Sequence, residues 1–349
     1  KAFRRVFQEL TNTAPLPLAD LPDVFHNALD DLEEAMAKVL ARATEEPPEE
    51  WMNLYFAILD WQNRNLYYNQ RRFTYFVPEN GTLSILCLDP SQVLWERKNL
   101  FGGVVYFSAT LSPMGYHKDI LGGGEEAHHL MLPSPFDPDH LLVLHPPSVS
   151  TKYRDREKTL PLVQDYLRTF SERSEGNLIH FFPSYAYKDR ILEGIEDPYR
   201  LDQERSMTER DRQDFIGRFF GDETVHGYAV MGGAFSEGID LAGDALHGVS
   251  ILTLSLPGLS PERELIKNRF NDMGKDGYAY AYLYPGITKV VQAAGRIIRT
   301  EKDRGQLLLL DDRFARKDIR ALLPREWHIQ TVRSPEEMAD KIKDFWRSV

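Results

Sequence analysis

The segment Gln292-Ala-Ala-Gly-Arg-Ile-Ile-Arg299 carries the clearest chemical signature in this chain. Read as a helix that follows a strand and turn at Tyr278–Gly286, it sets Gln292, Arg296 and Arg299 at positions i, i+4 and i+7, on one face. Arginine stays charged and presents a planar fork of donors. Two such groups suit a chain of phosphates and the charge that builds on a transferring phosphoryl group. A solvated helix face is the plain alternative, but it has no need of the small run Ala293, Ala294 and Gly295. Small residues beside arginines indicate close packing against something large, so the expectation is a phosphate-reading helix.

Three further segments fall at the ends of expected strands, where open parallel sheets bind ligands. In Phe107-Ser-Ala-Thr-Leu-Ser-Pro113 the hydroxyls of Ser108 and Thr110 either relay a hydrogen-bond change between two sites or form a plain serine/threonine turn. In His180-Phe-Phe-Pro-Ser-Tyr185, Ser184 either accepts a phosphate beside free backbone N–H groups or simply caps the next helix. Gly232-Gly-Ala-Phe-Ser-Glu-Gly-Ile-Asp-Leu241 joins glycines, which admit a ligand close to the backbone, to two carboxylates, Glu237 and Asp240, that can hold a ribose hydroxyl or an arginine. No G-x-x-x-x-G-K-[ST] loop occurs, so the chain has no triphosphate cradle of its own. Glu125-Glu-Ala-His128 follows Gly122-Gly-Gly124 rather than an apolar strand and reads as a polar loop. His128-His129 lacks a supporting ligand at helical spacing.

The elements that must position these groups follow from periodicity. Residues 1–78 read as helical: Phe25, Leu29, Leu32, Met36 and Leu40 recur at helical spacing, and a second, aromatic-rich helix runs from about Trp51 to Gln70. Short strands are expected at Thr82–Leu88, after an Asn80-Gly81 turn, and at Gly103–Phe107. From about residue 140, apolar strands (Leu141–Leu144, Leu178–Phe182, Gly227–Met231, Val249–Leu254, Tyr278–Tyr284, Gln306–Leu310) alternate with helices (Arg156–Arg173, Tyr185–Ile195, Glu209–Phe220, Pro261–Asp272). That alternation predicts an α/β fold with a parallel sheet covered on both faces.

The chain has 349 residues, 42% of them hydrophobic, enough for two domains. It opens on Lys1, shows no signal-peptide pattern, and is expected to be a piece of a longer protein. No run of about 18 apolar residues is present to span a membrane. The single cysteine, Cys87, excludes an internal disulfide and a cysteine-rich metal site, which fits a reducing cytoplasm. The net charge of −11 argues against general nucleic-acid affinity, yet its distribution is uneven. Asp20–Glu50 holds ten acids against two bases, whereas Arg263–Arg320 holds thirteen bases against eight acids. A localised polyanion site is compatible with that asymmetry.

Taken in order, Ser108-Ala-Thr-Leu-Ser-Pro113, Phe182-Pro-Ser-Tyr185, Ser236-Glu-Gly-Ile-Asp240 and Gln292–Arg299 resemble motifs III to VI of superfamily 2 DNA helicases of the XPD/DinG type, the Rad3-related bacterial branch. Pro133-Ser-Pro-Phe136, Tyr284-Pro-Gly286 and Leu310-Asp-Asp-Arg-Phe314 are also similar to this branch, and the resemblance spans about residues 82 to 320. It implies two RecA-like motor domains with ATP and Mg2+ in the cleft between them. The first would carry the P-loop and acidic box, with an iron–sulfur cluster and an arch-shaped helical domain inserted. This chain lacks the P-loop, that box and the cluster cysteines. By resemblance, residues 1–78 are the end of the arch region, 79–116 the closing strands of motor domain 1 with motif III, and 117–349 a RecA-like motor domain 2.

Residue by residue, the resemblance makes Arg296 and Arg299 fingers that reach the γ-phosphate, and Gln292 a sensor of the same phosphate. Asp240, with Gly238 and Gly295 beside the nucleotide, becomes the ribose or coupling carboxylate, and Glu237 positions motif V. Ser108 and Thr110 become a relay coupling hydrolysis to DNA movement. Ser184, Tyr185 and Ser236 become contacts to single-stranded DNA or to that coupling. The implied activity is ATP-driven 5′ to 3′ DNA unwinding by a monomer whose P-loop half lies outside this chain. The alternative is a RecA-like module that binds single-stranded DNA or a partner without turnover. A metabolic nucleotide enzyme would need its own glycine-rich loop at the first βα turn, and none is present.

Overall fold

The computed structural model describes residues 16–18, 20–21, 23–66, 68, 72–77, 83–124, 126–232, 241 and 245–347. The chain divides into two compact units. One comprises residues 1–107, 114–128 and 259–281; the other comprises residues 108–113, 129–258 and 282–349.

The first unit is built on a three-stranded antiparallel sheet, β1 (Leu16–Leu18), β2 (Phe73–Val77) and β3 (Ser84–Cys87), with β2 central. Helices α1 (Asp23–Arg42) and α2 (Glu49–Asn65) give it a small core in which Phe25, Leu29, Met36 and Ile58 meet Tyr75. Residues 1–78 are therefore not helical throughout. The strand Phe73–Val77 alternates around aromatic side chains, whose strand preference the helical periodicity of the preceding segment obscured. The second helix also stops at Asn65, short of Gln70. Asn80 and Gly81 lie outside the described residues.

No strand forms at Gly103–Phe107, where Val105 is 84% and Phe107 90% exposed. An apolar run becomes a strand only when a neighbour satisfies its N–H and C=O groups, and none does so here among the described residues. The excursion 259–281 adds the helix Pro261–Asp272 to this unit. Its Arg269 and the Arg72 guanidinium both pair with the buried Asp89, at 3.2 and 2.6 Å. Burial alone would raise the Asp89 carboxyl; hydrogen bonds from Ser91 and the two arginines hold it below the ordinary carboxylate range.

The second unit holds seven parallel strands: β4 (Leu141–His145), β5 (Leu178–Phe182), β6 (Arg200–Asp202), β7 (His226–Val230), β8 (Gly248–Ile251), β9 (Gly305–Leu309) and β10 (Ile329–Thr331). Their spatial order is β10-β4-β9-β8-β5-β7-β6. Successive side chains point to opposite faces, so Ile179 and Phe181 enter one core while Leu178 and Phe182 enter the other. Helices α3 (Arg156–Arg173), α4 (Tyr185–Leu192) and α5 (Pro335–Arg347) cover one face through Leu160, Val163, Phe170, Ile191, Met338 and Ile342. Helices α6 (Glu209–Gly217) and α7 (Tyr284–Ala294) cover the other through Phe215, Ile287, Val290 and Ala293. The doubly covered α/β sheet is the expected RecA-like layer arrangement, with short outer strands β6 and β10 added at its edges.

One expected strand is a helix. Ala279–Leu283 is a π-helical turn that runs directly into α7. Tyrosines alternate with alanines there, which reads as period two, yet Ala279, Tyr280, Ala281 and Tyr282 are all buried. A segment buried on every side has no amphipathic period to read. Asp276 supplied the missed signal: its carboxylate accepts from the Ala279 N–H at 3.0 Å, as a helix cap does.

A buried polar network runs through the β5–β7 region. His180 is hydrogen-bonded to Ser250 at 2.7 Å and to Ser171 at 3.2 Å, while His226 and Tyr228 both reach Asp197, at 2.7 and 2.6 Å. Burial pushes the His180 imidazole down to about 3 and that of His145 down to about 4. The Asp197 carboxyl, despite burial, is held down to about 2 by its bonds from His226 and Tyr228.

All three pKa values are depressed in the folded chain, so the unfolded chain binds more protons and stability falls as pH falls. For the histidines the loss begins below an unfolded value of about 6.5; for Asp197 it begins below about 4. We expect the urea midpoint of unfolding to drop between pH 7 and pH 5, the two histidines contributing about 2 kcal/mol each. An unchanged midpoint over that range would show that these imidazoles are not held neutral.

Candidate functional site

The arginine segment is not one helix face. Helix α7 ends at Ala294 and Gly295 caps it, its N–H donating to the Val291 carbonyl at 2.8 Å. Of the three chemical groups only Gln292, half-buried, stands on the helix. Glycine is a poor helix former, and Ile297 is drawn into the core at 1% exposure, so the chain turns instead of continuing. Arg296 is 4% exposed, whereas Arg299 is exposed. The Arg299 and Thr300 N–H groups donate to Asp303 at 2.7 and 2.8 Å, which fixes the loop that carries the second arginine.

This loop lies at the amino-terminal end of the strands. A Cβ on Gly305, the first residue of β9, would stand 2.2 Å from the Ile297 side chain and 2.6 Å from the His247 carbonyl, so only glycine admits that approach. The other end of α7 lies beyond the carboxyl end of β8, where a Cβ on Gly286 would meet the Leu254 carbonyl at 2.7 Å. Helix α7 thus runs antiparallel to the strands and delivers Arg296 and Arg299 to the opposite edge of the sheet from Ser184. The four segments do not gather at one sheet edge. The pattern misled because the strand taken to precede the arginines is itself helical.

Ser184 and Tyr185 do lie at the carboxyl end of β5. Ser184 is the N-cap of α4, accepting from the Tyr187 N–H at 3.3 Å, so the capping role is realised. Tyr185 is half-buried, with its hydroxyl donating to the Glu204 carbonyl at 3.2 Å. Two cations flank its ring: the Lys188 ammonium at 5.8 Å and the Arg205 guanidinium at 5.6 Å from the centroid. Lys188 is buried, donates to the Gln203 carbonyl at 2.9 Å and faces Asp202 at 3.6 Å. Neither cation stood out in the sequence. The only signal for Lys188 was its place three residues after Tyr185 on a helix, where side chains meet.

The Ser108 and Thr110 hydroxyls lie 3.2 Å apart, and the Thr110 N–H donates to Ser108 Oγ at 3.1 Å, a serine turn at the surface. Ser236, Glu237, Gly238 and Asp240 lie outside the described residues. No group of three or more side chains able to hold a metal ion occurs among the described residues, and Cys87 is exposed and unpaired. The donors present therefore do not fit an iron–sulfur cluster.

A further group occupies the carboxyl ends of β4 and β9. Asp311, fully buried, accepts two bonds from the Arg313 guanidinium, at 2.7 and 2.9 Å, and one from the Thr151 hydroxyl. His145 contacts the Asp311 carbonyl at 3.1 Å, and Lys152 pairs with Asp312 at 2.6 Å. These bonds tie the Leu310-Asp-Asp-Arg-Phe314 segment to the loop that follows β4.

Residues 167–330 match the helicase C-terminal domain family. The chain is 31% identical over 264 residues to a probable ATP-dependent helicase of Methanocaldococcus jannaschii, covering 69% of this chain and 39% of that protein. It is 29% identical over 261 residues to the ATP-dependent DNA helicase YoaA of Escherichia coli, again covering 39% of the relative. It therefore spans about two fifths of the length of these curated relatives. A solved apo XPD structure shares its fold over 95% of this chain and 70% of that one, with a TM-score of 0.60 at 20% identity. Among the described residues no helix is long and apolar enough to cross a membrane. With a doubly covered parallel sheet, the ordered helicase-like segments and these matches, the chain is identified as carrying the C-terminal domain of an XPD/DinG-type helicase.

Proposed function

We propose that this chain is the second motor domain of an ATP-dependent 5′ to 3′ DNA helicase, which lends Arg296 and Arg299 to ATP held by a first motor domain and grips single-stranded DNA at the opposite sheet edge. The observation that carries this reading is the separation made by α7. Arginines suited to phosphates lie at the amino-terminal edge of the sheet, and the cation-flanked Tyr185 lies at its carboxyl edge. A motor needs those two tasks at different places, so that a change at the nucleotide can alter the grip on DNA.

The chemistry is positional. ATP with Mg2+ would supply the phosphoryl group, the Arg296 and Arg299 guanidiniums would neutralise charge on it, and Gln292, on the last turn of α7, would sense the same phosphate. Asp240, Gly238 and Gly295 serve the nucleotide and Glu237 positions motif V, while Ser108, Thr110 and Ser236 couple its state to the DNA. The first motor domain holds the nucleotide, because this chain has no P-loop. The exposed apolar run Phe101–Phe107 supports that reading: it has the composition of a buried parallel strand awaiting neighbours. An iron–sulfur cluster, if the parent has one, is held outside this chain.

The 349-residue chain by itself is expected to hydrolyse ATP negligibly, even with single-stranded DNA added. Phosphate release by the purified chain tests this. Clear DNA-stimulated turnover would show that the chain holds a complete nucleotide site, contrary to the proposal.

A further inference from the structure

Tyr153 is 88% exposed, an unusual place for a large aromatic ring, and it stands eight positions beyond β4 at the carboxyl side of the sheet. Its surroundings are built. The Arg156 guanidinium lies 5.6 Å from the Tyr153 ring centroid and 4.3 Å from that of Tyr187, so it sits between two tyrosines. Its Nε donates to the Thr151 carbonyl at 3.1 Å, and the Thr151 hydroxyl is bonded to the buried Asp311. Arg156 is therefore held from below, and it supports a ring whose outer surface faces water.

Beside that ring, Arg154 is 82% exposed, with only a loose 3.7 Å approach to Asp155. Tyr187 belongs to the first turn of α4, two residues after Tyr185, so Arg156 links the Tyr153 platform to the helix that presents Tyr185. The result is two aromatic rings at the starts of neighbouring helices, Tyr185 flanked by Lys188 and Arg205 and Tyr153 by Arg156.

We propose that Tyr153 is a second base-stacking platform, and Arg154 a phosphate contact, that extend the single-stranded DNA path from Tyr185 along the carboxyl edge of the sheet. This rests on the DNA-gripping part of the function proposed above. An exposed ring with a guanidinium on one side presents its free face to any base, so stacking there is indifferent to sequence. Arg154 adds a charge that tracks the backbone. Arg156 is a positioning residue: it touches the ring and not the DNA.

The test is fluorescence anisotropy of a labelled oligothymidylate with the 349-residue chain. Tyr153→Ala is expected to weaken binding about tenfold, whereas Tyr153→Phe binds within about twofold of the original. Arg154→Ala should lower the slope of log affinity against log salt by about 0.7, the loss of one single-strand phosphate contact. The melting temperature should move little in each variant, since both side chains are exposed. If Tyr185→Ala weakens binding and Tyr153→Ala does not, the DNA path bypasses Tyr153 and this inference fails alone. If the unsubstituted chain does not bind the oligonucleotide, the inference and the DNA-gripping reading fail together.

Discussion

Alanine at Arg296 is expected to lower DNA-stimulated ATP turnover of the intact protein by about 10³-fold while leaving nucleotide binding nearly unchanged. The physical reason is differential: a guanidinium aimed at the phosphoryl group stabilises charge that is larger in the transition state than in bound ATP. Arg296 is 4% exposed, and a charge in a low-dielectric position acts more strongly than one in water. That burial also means alanine leaves a void, so two controls separate chemistry from folding. Arg296→Lys keeps a charge but loses the planar fork, and turnover should remain well below that of the unsubstituted protein. Arg299→Ala removes an exposed side chain, and turnover should fall without a change in melting temperature. The measurement is steady-state phosphate release with saturating single-stranded DNA, beside nucleotide binding by equilibrium titration. Turnover within twofold of the original in both alanine variants would make the end of α7 a structural turn, and a binding module without turnover would then be the better reading.

The second large effect concerns stability. Asp311→Ala should destabilise the sheet unit by about 3 kcal/mol, because removing one partner of a buried ion pair leaves the other charge desolvated. Asp311 is fully buried, and its carboxylate receives two bonds from Arg313 and one from the Thr151 hydroxyl. Burial alone would raise its carboxyl, and the Arg313 fork and Thr151 hold it below the ordinary range instead. Asp311→Asn keeps the shape and one acceptor oxygen, so its cost should be intermediate. Chemical denaturation of the chain and both variants checks this order. Alanine and asparagine costing the same would mean that the charge carries the whole effect and the hydrogen-bonded shape adds nothing; asparagine costing nothing would mean the reverse.

How far the fold was legible follows from which elements have a one-dimensional pattern. Strands such as Leu178–Phe182 are short apolar runs bounded by polar turns, and the helices α3 and Pro261–Asp272 run over the residues periodicity predicts. Capping was legible too, since Ser184 stands immediately before the first residue of α4. Ala279–Leu283 was not. Its buried tyrosines and alanines carry no polar face, and only packing on all sides decides between helix and strand. Gly103–Phe107 failed for the opposite reason: its composition suits a buried strand, but pairing requires a neighbour that the described residues do not supply.

The sequence by itself determined the α/β class, the helicase resemblance and the residue types suited to phosphate and base contact, because these depend on composition, order and short-range spacing. Tertiary structure alone decided where those residues stand. The turn at Gly295 ends the helix beneath the arginines, since Ile297 is worth more in the core than another helical turn. The antiparallel run of α7 then sends Arg296 and Arg299 to one edge of the sheet while Ser184 and Tyr185 remain at the other. Arg205, twenty residues from Tyr185, and Arg156, thirty-one from Tyr187, meet those rings only because the chain folds back over the sheet. Contacts between residues so far apart in sequence leave no local pattern, since they are set by packing across strands and not by the period of either helix.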